Sequence, residues 1–227
     1  KLGNEYEIGL KKENVKYIYN KKKEILPTGT CLILVTPDSE RTMCTFLGTA
    51  GKINENDVST EALKQSEILF LEGYLWDEGD PKKAFDKAIN NSIKVAMSLS
   101  DKFCVDRHKS HFLDLVKNKL DIIFANEEEI TSLIEAKNFN DVIEFGKQIK
   151  KLLIITRGSN GAISINGNKI SEVNVKRNLK IVDLTGAGDL FAAGYLHGHL
   201  NNYSQKDCLD KGTEMASKVI QQIGARL

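Results

Sequence analysis

The residues with the clearest chemical potential lie in the stretch DLTGAGDLFAAG, residues 183–194. Gly186 and Gly188 allow a tight turn and carry no side chain that would keep an anion from the backbone. If a helix begins here, the amide N–H groups of residues 186–189 lack intrahelical acceptors, and they form an anion-binding site. Asp189 cannot bind an anion, but its carboxylate is suited to accept a proton from an attacking hydroxyl. The pattern therefore predicts phosphoryl transfer to an alcohol.

A second interpretation of this stretch stays open on spacing alone. It makes Asp189 a helix cap and the glycines an ordinary tight turn ahead of a helix. The sequence contains no G-x-x-x-x-G-K-[ST] pattern, so no P-loop motif supports the anion-binding interpretation over the capping one.

Polar residues and glycines also follow other apolar runs that we expect to be strands. They are Asn126–Glu129 after LDIIFA, Thr156–Gly158 after KLLII, Asp106–His108 after KVAMSLSDKFCV, and Asp183–Asp189 after LKIV. Ligands of open α/β sheets bind outside the carboxyl ends of the strands. Four such ends in one chain indicate a ligand site there.

Strands and helices alternate along most of the chain. The predicted strands are a hairpin of 28–37 and 41–48 around DSE, 67–76, IKVAMSL, LDIIFAN, KLLIITRG and a second hairpin, GAISING with KISEVNV. The predicted helices cover 4–13, 58–65 with Asn56 or Asp57 as the cap, Pro81 to about 91, 108–118, Glu127 to about Ile134, 140–150, a helix ending near 200, and Ser204 to about Ile223. This order predicts an α/β fold, a three-layer α/β/α sandwich around a mainly parallel sheet.

Composition narrows the class of partner. The 227 residues are 41% hydrophobic and carry a net charge of +1, which supports neither a nucleic-acid nor a membrane partner. The short lysine cluster at 21–23 is expected to be a solvated loop. The four cysteines show no C-x-x-C spacing, which favours reduced thiols in a cytoplasmic protein. The chain lacks an initiator Met, and we expect it to be a piece of a longer protein or a partial view of one.

Several motifs together resemble a known family. DLTGAGDLFAAG is similar to the D-T-x-G-A-G-D-x-F signature of ribokinase/PfkB-type carbohydrate kinases, NEEE to their N-x-x-E motif, and TRGSNGA to their T-x-G-x-x-G segment. TGTCLILVTPDSERTMCTFLGTA, EGYLWD and FCVDRH resemble the adenosine-kinase-like branch. The resemblance runs along essentially the whole chain, and it implies a ribokinase-like kinase domain over 1–227 with a small β lid at 28–48.

The resemblance also implies roles for individual residues, with ATP and Mg²⁺ as the cofactors. Asp189 matches the catalytic base, and Gly186, Ala187 and Gly188 match the anion hole. Asn126 and Glu129 match the motif that organises Mg²⁺ and phosphate, largely through water. From the residues alone, the pair is also interpreted as a helix cap with its partner. The residues expected near the nucleotide are Thr156, Gly158, Gly161, Asp183, which fixes the loop or helps at a cation site, and Arg41, which reaches the phosphates. The other two acids of this motif, Glu127 and Glu128, are expected to be a solvated first helical turn.

The chain departs from the family pattern in two ways. Leu184 stands where the signature usually has Thr, which alters loop packing more than chemistry. The family's first strand, with its substrate-binding aspartate, and its G-G-N-type motif are not found in the sequence, so much of the acceptor half of the site is expected to be missing. A nucleotide-binding relative without catalysis therefore stays open as an alternative to a kinase.

The partner predicted for the kinase is a small sugar or nucleoside, which accepts phosphate on a hydroxymethyl group. The branch resemblance favours adenosine or another ribosyl compound. It also makes a homodimer through the lid conceivable, since an exposed strand edge can pair with a second copy.

Overall fold

The computed structural model describes residues 2–19, 25–77 and 82–227, so the lysine cluster at 21–23 and Pro81 lie outside the described residues. The chain divides into two compact units. The first comprises Lys1–Ile33, Met43–Leu69 and Leu75–Ile93, and the second comprises Leu34–Thr42, Phe70–Tyr74 and Lys94–Leu227. Among the described residues, no helix is both long and apolar enough to cross a membrane. The single kinase domain expected from the sequence stays a prediction.

The hairpin expected from the sequence is present. β1 (Thr28–Val35) and β2 (Arg41–Gly48) form a two-stranded sheet. The Thr36 amide donates to the Glu40 carbonyl at 2.9 Å and closes the turn between them. β1 ends before Pro37, whose nitrogen has no hydrogen to donate to a partner strand.

Three helices lie at or near their predicted positions in the first part of the chain: α1 (Leu2–Lys12), α2 (Thr60–Gln65) and α3 (Lys82–Asn90). The predicted cap of α2 is wrong. The Ser59 side chain caps α2 by accepting the Ala62 N–H at 3.3 Å. Asn56 and Asp57 belong instead to a separate 3₁₀ turn, Glu55–Asp57, which Asn54 caps.

The second unit is built around a six-stranded sheet in the order β3 to β8. Its strands are β3 (Leu69–Glu72), β4 (Val95–Ser98), β5 (Ile122–Asn126), β6 (Leu152–Thr156), β7 (Ala162–Asn166) and β8 (Lys169–Val173). β4, β5 and β6 run parallel, whereas β7 and β8 form the predicted antiparallel hairpin. Parallel strands need crossover connections, which helices provide here.

Five helices belong to this unit: α4 (Lys102–Asn118), α5 (Glu127–Ile134), α6 (Phe139–Ile149), α7 (Ala187–Leu200) and α8 (Gln205–Val219). They cover both faces of the sheet. Phe124 of β5 meets the Tyr195 ring of α7, with the ring centroids 5.7 Å apart. Phe124 is in line with Ser164 of β7, so the next residue, Ile165, points to the opposite face, where it packs against Gly146 of α6. The predicted three-layer α/β fold is confirmed.

Three predicted strand boundaries are wrong. The strand expected over 67–76 stops at Glu72, because the Gly73 N–H donates to the Ser100 hydroxyl at 2.7 Å and the chain enters a 3₁₀ turn. Residues 106–108 follow no strand but lie inside α4. LKIV, directly before Asp183, is not a strand, since the amides of Val182 and Asp183 donate to the Ile220 carbonyl at the end of α8.

The contact between α7 and α8 depends on glycine. A Cβ on Gly194 would lie 2.7 Å from the Lys211 carbonyl oxygen and 2.9 Å from the Gly212 Cα. These are backbone atoms of the facing helix, so they cannot move aside as a flexible side chain would. We expect Gly194→Ala to lower Tm in thermal unfolding by about 3–6 °C, because overpacking outweighs the better helix propensity of alanine. An unchanged or higher Tm would show that the helices separate at little cost.

Candidate active site

Two of the predicted site residues lie side by side at the carboxyl ends of parallel strands. Asn126 ends β5 and Thr156 ends β6, and the two residues are paired in register. β4 ends beside them at Ser98, which is in register with Phe124. The structure thus confirms that these strand ends share one edge of the sheet, where ligands of α/β folds bind.

Asn126 and Glu129 are held together by three hydrogen bonds. The Asn126 Oδ1 accepts the Glu129 N–H at 2.7 Å, while Glu129 Oε2 accepts the Asn126 N–H at 2.9 Å and its Oε1 accepts from Asn126 Nδ2 at 2.6 Å. They form a capping box at the start of α5. Burial raises the pKa of Glu129 to about 7, and the charges of Asp101 and Glu128 act in the same direction. The geometry is that of a helix cap, yet it leaves a titratable carboxyl at the strand ends.

The loop before α7 provides free backbone donors. Gly186 adopts a left-handed conformation, with φ 78°, and caps the helix without a side chain. The Ala187 N–H donates to the Leu184 carbonyl at 3.3 Å. Within the described residues, no acceptor receives the N–H groups of Gly188 and Asp189, and a Cβ on Gly188 would meet no atom within 4 Å. The first turn of α7 therefore presents amide donors to open space, as an anion hole requires.

Asp183 holds the loop before α7 in place. It is 1% exposed, and its two carboxylate oxygens accept the N–H groups of Thr185 at 2.8 Å and Gly224 at 2.9 Å. The neighbouring Thr185 hydroxyl, together with these amides, holds the pKa of Asp183 below its ordinary value, and the positive charge of Arg41 contributes. The structure thus places Arg41, at the start of β2, near the signature loop.

Asp189 does not act as a helix cap. It occupies the third position of α7, is exposed, and accepts no hydrogen bond from the described part of the chain. Its charge raises the pKa of Glu72 at the end of β3, as does that of Glu129. Both charges add to the effect of burial on Glu72. The capping interpretation of Asp189 is wrong, because Gly186 is the N-cap of α7.

Glu72 is a candidate site residue that the sequence patterns did not single out. Burial raises its pKa to about 7, although the Ser100 hydroxyl, which donates to Glu72 Oε2 at 3.0 Å, acts in the opposite direction. The same hydroxyl accepts the Gly73 N–H, and the Tyr74 hydroxyl donates to the Ser100 carbonyl at 2.9 Å. A signal was present, because Glu72 is the one charged residue inside the apolar run ILFLEGYLW.

Gly158 and Gly161 lie in the loop after β6. Both have positive φ, 52° and 84°. A Cβ on Gly161 would lie 1.9 Å from the Val173 carbonyl oxygen, so packing against β8 already explains this glycine. A Cβ on Gly158 would meet nothing within 4 Å, which leaves its backbone open to a ligand. The structure records no direct contact between either glycine and Asp189.

The raised pKa of Glu72 has a measurable consequence. Between its ordinary pKa of 4.5 and the folded value of about 7, the folded protein holds a proton that the unfolded chain has lost. Stability therefore falls as pH rises through this window. We expect Glu72→Gln to raise the free energy of unfolding relative to wild type at about pH 8, and to change it little at about pH 5.

Glu214→Gln is the matched control for this measurement. Lys218 and Lys211 lower the pKa of Glu214 to about 2, so its carboxylate favours the folded state at neutral pH. Its removal should not stabilise the protein at about pH 8. If Glu72→Gln also fails to raise the unfolding midpoint at about pH 8, the burial of the Glu72 carboxylate carries no such penalty.

Comparison with known proteins gives relatives for the whole chain. A family model described as pfkB family carbohydrate kinase matches residues 1–227. Among curated proteins, an adenosine kinase from Dictyostelium discoideum is 26% identical over 221 residues, which cover 88% of this chain and 64% of that protein. The chain therefore spans just under two thirds of the length of this relative.

Solved structures give closer matches. The crystal structure of adenosine kinase from Sinorhizobium meliloti is 34% identical, with a TM-score of 0.96 over 100% of this chain and 71% of that one. A probable sugar kinase protein from Rhizobium etli CFN 42 is 37% identical, with a TM-score of 0.93 over 100% of this chain and 70% of that one.

Proposed function

The chain belongs to the pfkB family of carbohydrate kinases, and on that premise we propose that it carries the phosphoryl-transfer half of an ATP-dependent sugar or nucleoside kinase. The observation that carries the proposal is the first turn of α7. An exposed carboxylate, Asp189, stands there beside two amide donors, those of Gly188 and of Asp189 itself, which lack acceptors in the described chain.

In the proposed reaction Asp189 accepts the proton of the acceptor hydroxyl while that oxygen attacks the γ-phosphorus of ATP. The bond between the γ-phosphorus and the β,γ-bridging oxygen breaks, and ADP leaves. The amides at the start of α7 stabilise negative charge on the transferring group, and Gly188 leaves room for it to approach. Arg41 adds a fixed positive charge near this loop.

The site fits Mg²⁺ only as a hydrated ion. No group of three or more His, Cys, Asp or Glu side chains within residues 2–19, 25–77 and 82–227 could hold a metal ion. Each Glu129 oxygen already accepts one hydrogen bond from Asn126 and keeps a lone pair for a water ligand. Since Mg²⁺ usually retains several waters, we propose that Asn126 and Glu129 hold the hydrated ion, which would neutralise phosphate charge.

We propose an adenosine-like or other ribosyl compound as the acceptor. The adenosine kinases among the relatives support this choice. Glu72 lies close enough to Asp189 for their charges to interact, and a carboxyl there can accept hydrogen bonds from further hydroxyls of a sugar ring.

The hairpin of β1 and β2 is proposed as the lid over the acceptor. Its exposed Leu32, Met43 and Phe46 support pairing with a second copy.

The test is ADP release by the full-length protein with ATP and a panel of adenosine, cytidine, ribose and fructose. We expect turnover with at least one ribosyl acceptor and none without an acceptor. ATP binding by calorimetry without ADP formation from any acceptor would instead favour the non-catalytic nucleotide-binding relative.

A further inference from the structure

Arg157 joins three elements next to the strand ends. It follows Thr156 at the end of β6, and its Nε donates to Glu127 Oε2 at 2.8 Å in the first turn of α5. Its guanidinium also lies over the Phe139 ring at the start of α6, 3.8 Å from the ring centroid. The sequence predicts a solvated Glu127, whereas the structure gives it an ion-pair partner whose side chain is 22% exposed.

The backbone of Arg157 also closes the loop that follows. Its N–H donates to the Gly161 carbonyl at 2.8 Å, and its carbonyl accepts the Asn160 N–H at 2.9 Å. The loop between them includes Gly158, which has a positive φ and open space above it. Glycine adopts left-handed and right-handed conformations readily, so a contact outside the loop adds to the packing of Gly161 against β8 in holding this backbone in place.

The anchor of this loop, the ion pair between Arg157 and Glu127, lies next to the capping box of α5. Glu127 is the first residue of α5 and stands directly between Asn126 and the rest of the helix. Asn126 pairs in register with Thr156, so Arg157 and Glu127 bridge the ends of the same two strands one residue further on. A planar guanidinium suits this place, because it can donate to a carboxylate and stack on a ring at the same time, which an ammonium cannot.

We propose that Arg157 is a positioning residue for the phosphoryl donor: it fixes the loop from Thr156 to Gly161 against the first turn of α5, so that the nucleotide meets a preformed surface. The proposal rests on the proposed kinase function. Arg157 touches neither reacting atom, so its loss should weaken ATP binding without slowing the chemical step.

The experiment compares Arg157→Ala and Arg157→Lys with wild type in the full-length protein. We expect Arg157→Ala to raise the KM for ATP about fivefold, the combined effect of a half-exposed ion pair and a ring contact. Both kcat and the KM for the acceptor should stay within about twofold of wild type. Arg157→Lys keeps the charge and loses the stacking, so its KM for ATP should lie between those of wild type and Arg157→Ala. Lys147→Ala, which removes an exposed pair with Glu144 inside α6, is the control.

A second measurement tests the anchor without turnover. Hydrogen exchange of the Asn160 and Gly161 amides should be faster in Arg157→Ala and unchanged in Lys147→Ala. An active wild type with an unaltered ATP KM in Arg157→Ala, or a fall in kcat alone, would overturn the role of Arg157. An inactive wild type that binds no ATP would instead overturn the proposed function. In that case, faster exchange in Arg157→Ala would show that Arg157 stabilises the loop and has no role in nucleotide binding.

Discussion

Asp189→Asn is expected to lower kcat by about 10²–10⁴-fold, the usual contribution of a general base to catalysis. Asparagine has almost the same shape, but its amide cannot take the proton of the acceptor hydroxyl. Asp189 accepts no hydrogen bond from the described chain, so the substitution breaks no contact recorded there. Only the favourable interaction with the helix dipole is lost, about 0.3–1 kcal/mol. ATP binding, measured by calorimetry, should therefore be retained.

Asp141→Asn provides the control because Asp141 occupies the same third position in α6. There the carboxylate accepts the N–H groups of Asn138 and Lys137 and serves the helix start alone. This variant should lose some stability and keep its turnover. If Asp189→Asn keeps near-normal turnover, or if both variants lose activity equally, Asp189 is not the base and the proposed mechanism fails.

Much of the second unit could be predicted because local signals and tertiary packing agree there. Helix α5 was predicted from Glu127 to about Ile134 and is found over Glu127–Ile134, since Asn126 and Glu129 supply the capping box. The apolar runs of β5 and β6 are flanked by polar residues and buried on both faces, so pattern alone identifies them as strands of a parallel sheet.

The features that the sequence does not predict depend on contacts between residues that are far apart along the chain. The electrostatic interaction of Glu72 with Asp189 joins residues more than a hundred positions apart, and no local pattern encodes it. The segment LKIV looks like a strand, but its last amide donates to the Ile220 carbonyl beyond α8 instead of to a neighbouring strand. The sequence misses the start of α4, because Asp101 caps the helix inside KVAMSLSDKFCV, which the pattern groups with the strands.

These distant contacts also explain why the glycines of the signature are not equivalent. The backbone of Gly186 is left-handed and a Cβ there would lie 2.7 Å from the Ala225 Cβ, whereas Gly188 has ordinary helical backbone and open space. The first glycine is required by the fold of the loop. The second is required, in the proposed function, only by the phosphoryl group.

Gly186→Ala and Gly188→Ala should therefore fail in different ways. Gly186→Ala should cost about 1–2 kcal/mol in the free energy of unfolding from the left-handed conformation alone, and the contact with Ala225 should displace the amides of the first turn, so activity falls as well. Gly188→Ala should leave Tm unchanged or slightly higher, since alanine favours the helix. Its methyl group would occupy the space above the amide donors, so kcat/KM for ATP should fall by about 10²-fold, the effect of losing one oxyanion donor.

The pair Gly186→Ala with Ala225→Gly separates the two costs of the first substitution. Removing the Ala225 methyl group relieves the steric contact but not the backbone conformation, so stability and activity should recover in part. Gly188→Ala has no such partner, because no atom lies within 4 Å of its new Cβ, and Ala225→Gly should not rescue it. A Gly188→Ala enzyme with wild-type kcat/KM would mean that the phosphoryl group does not approach the start of α7, and the anion hole would have to lie elsewhere.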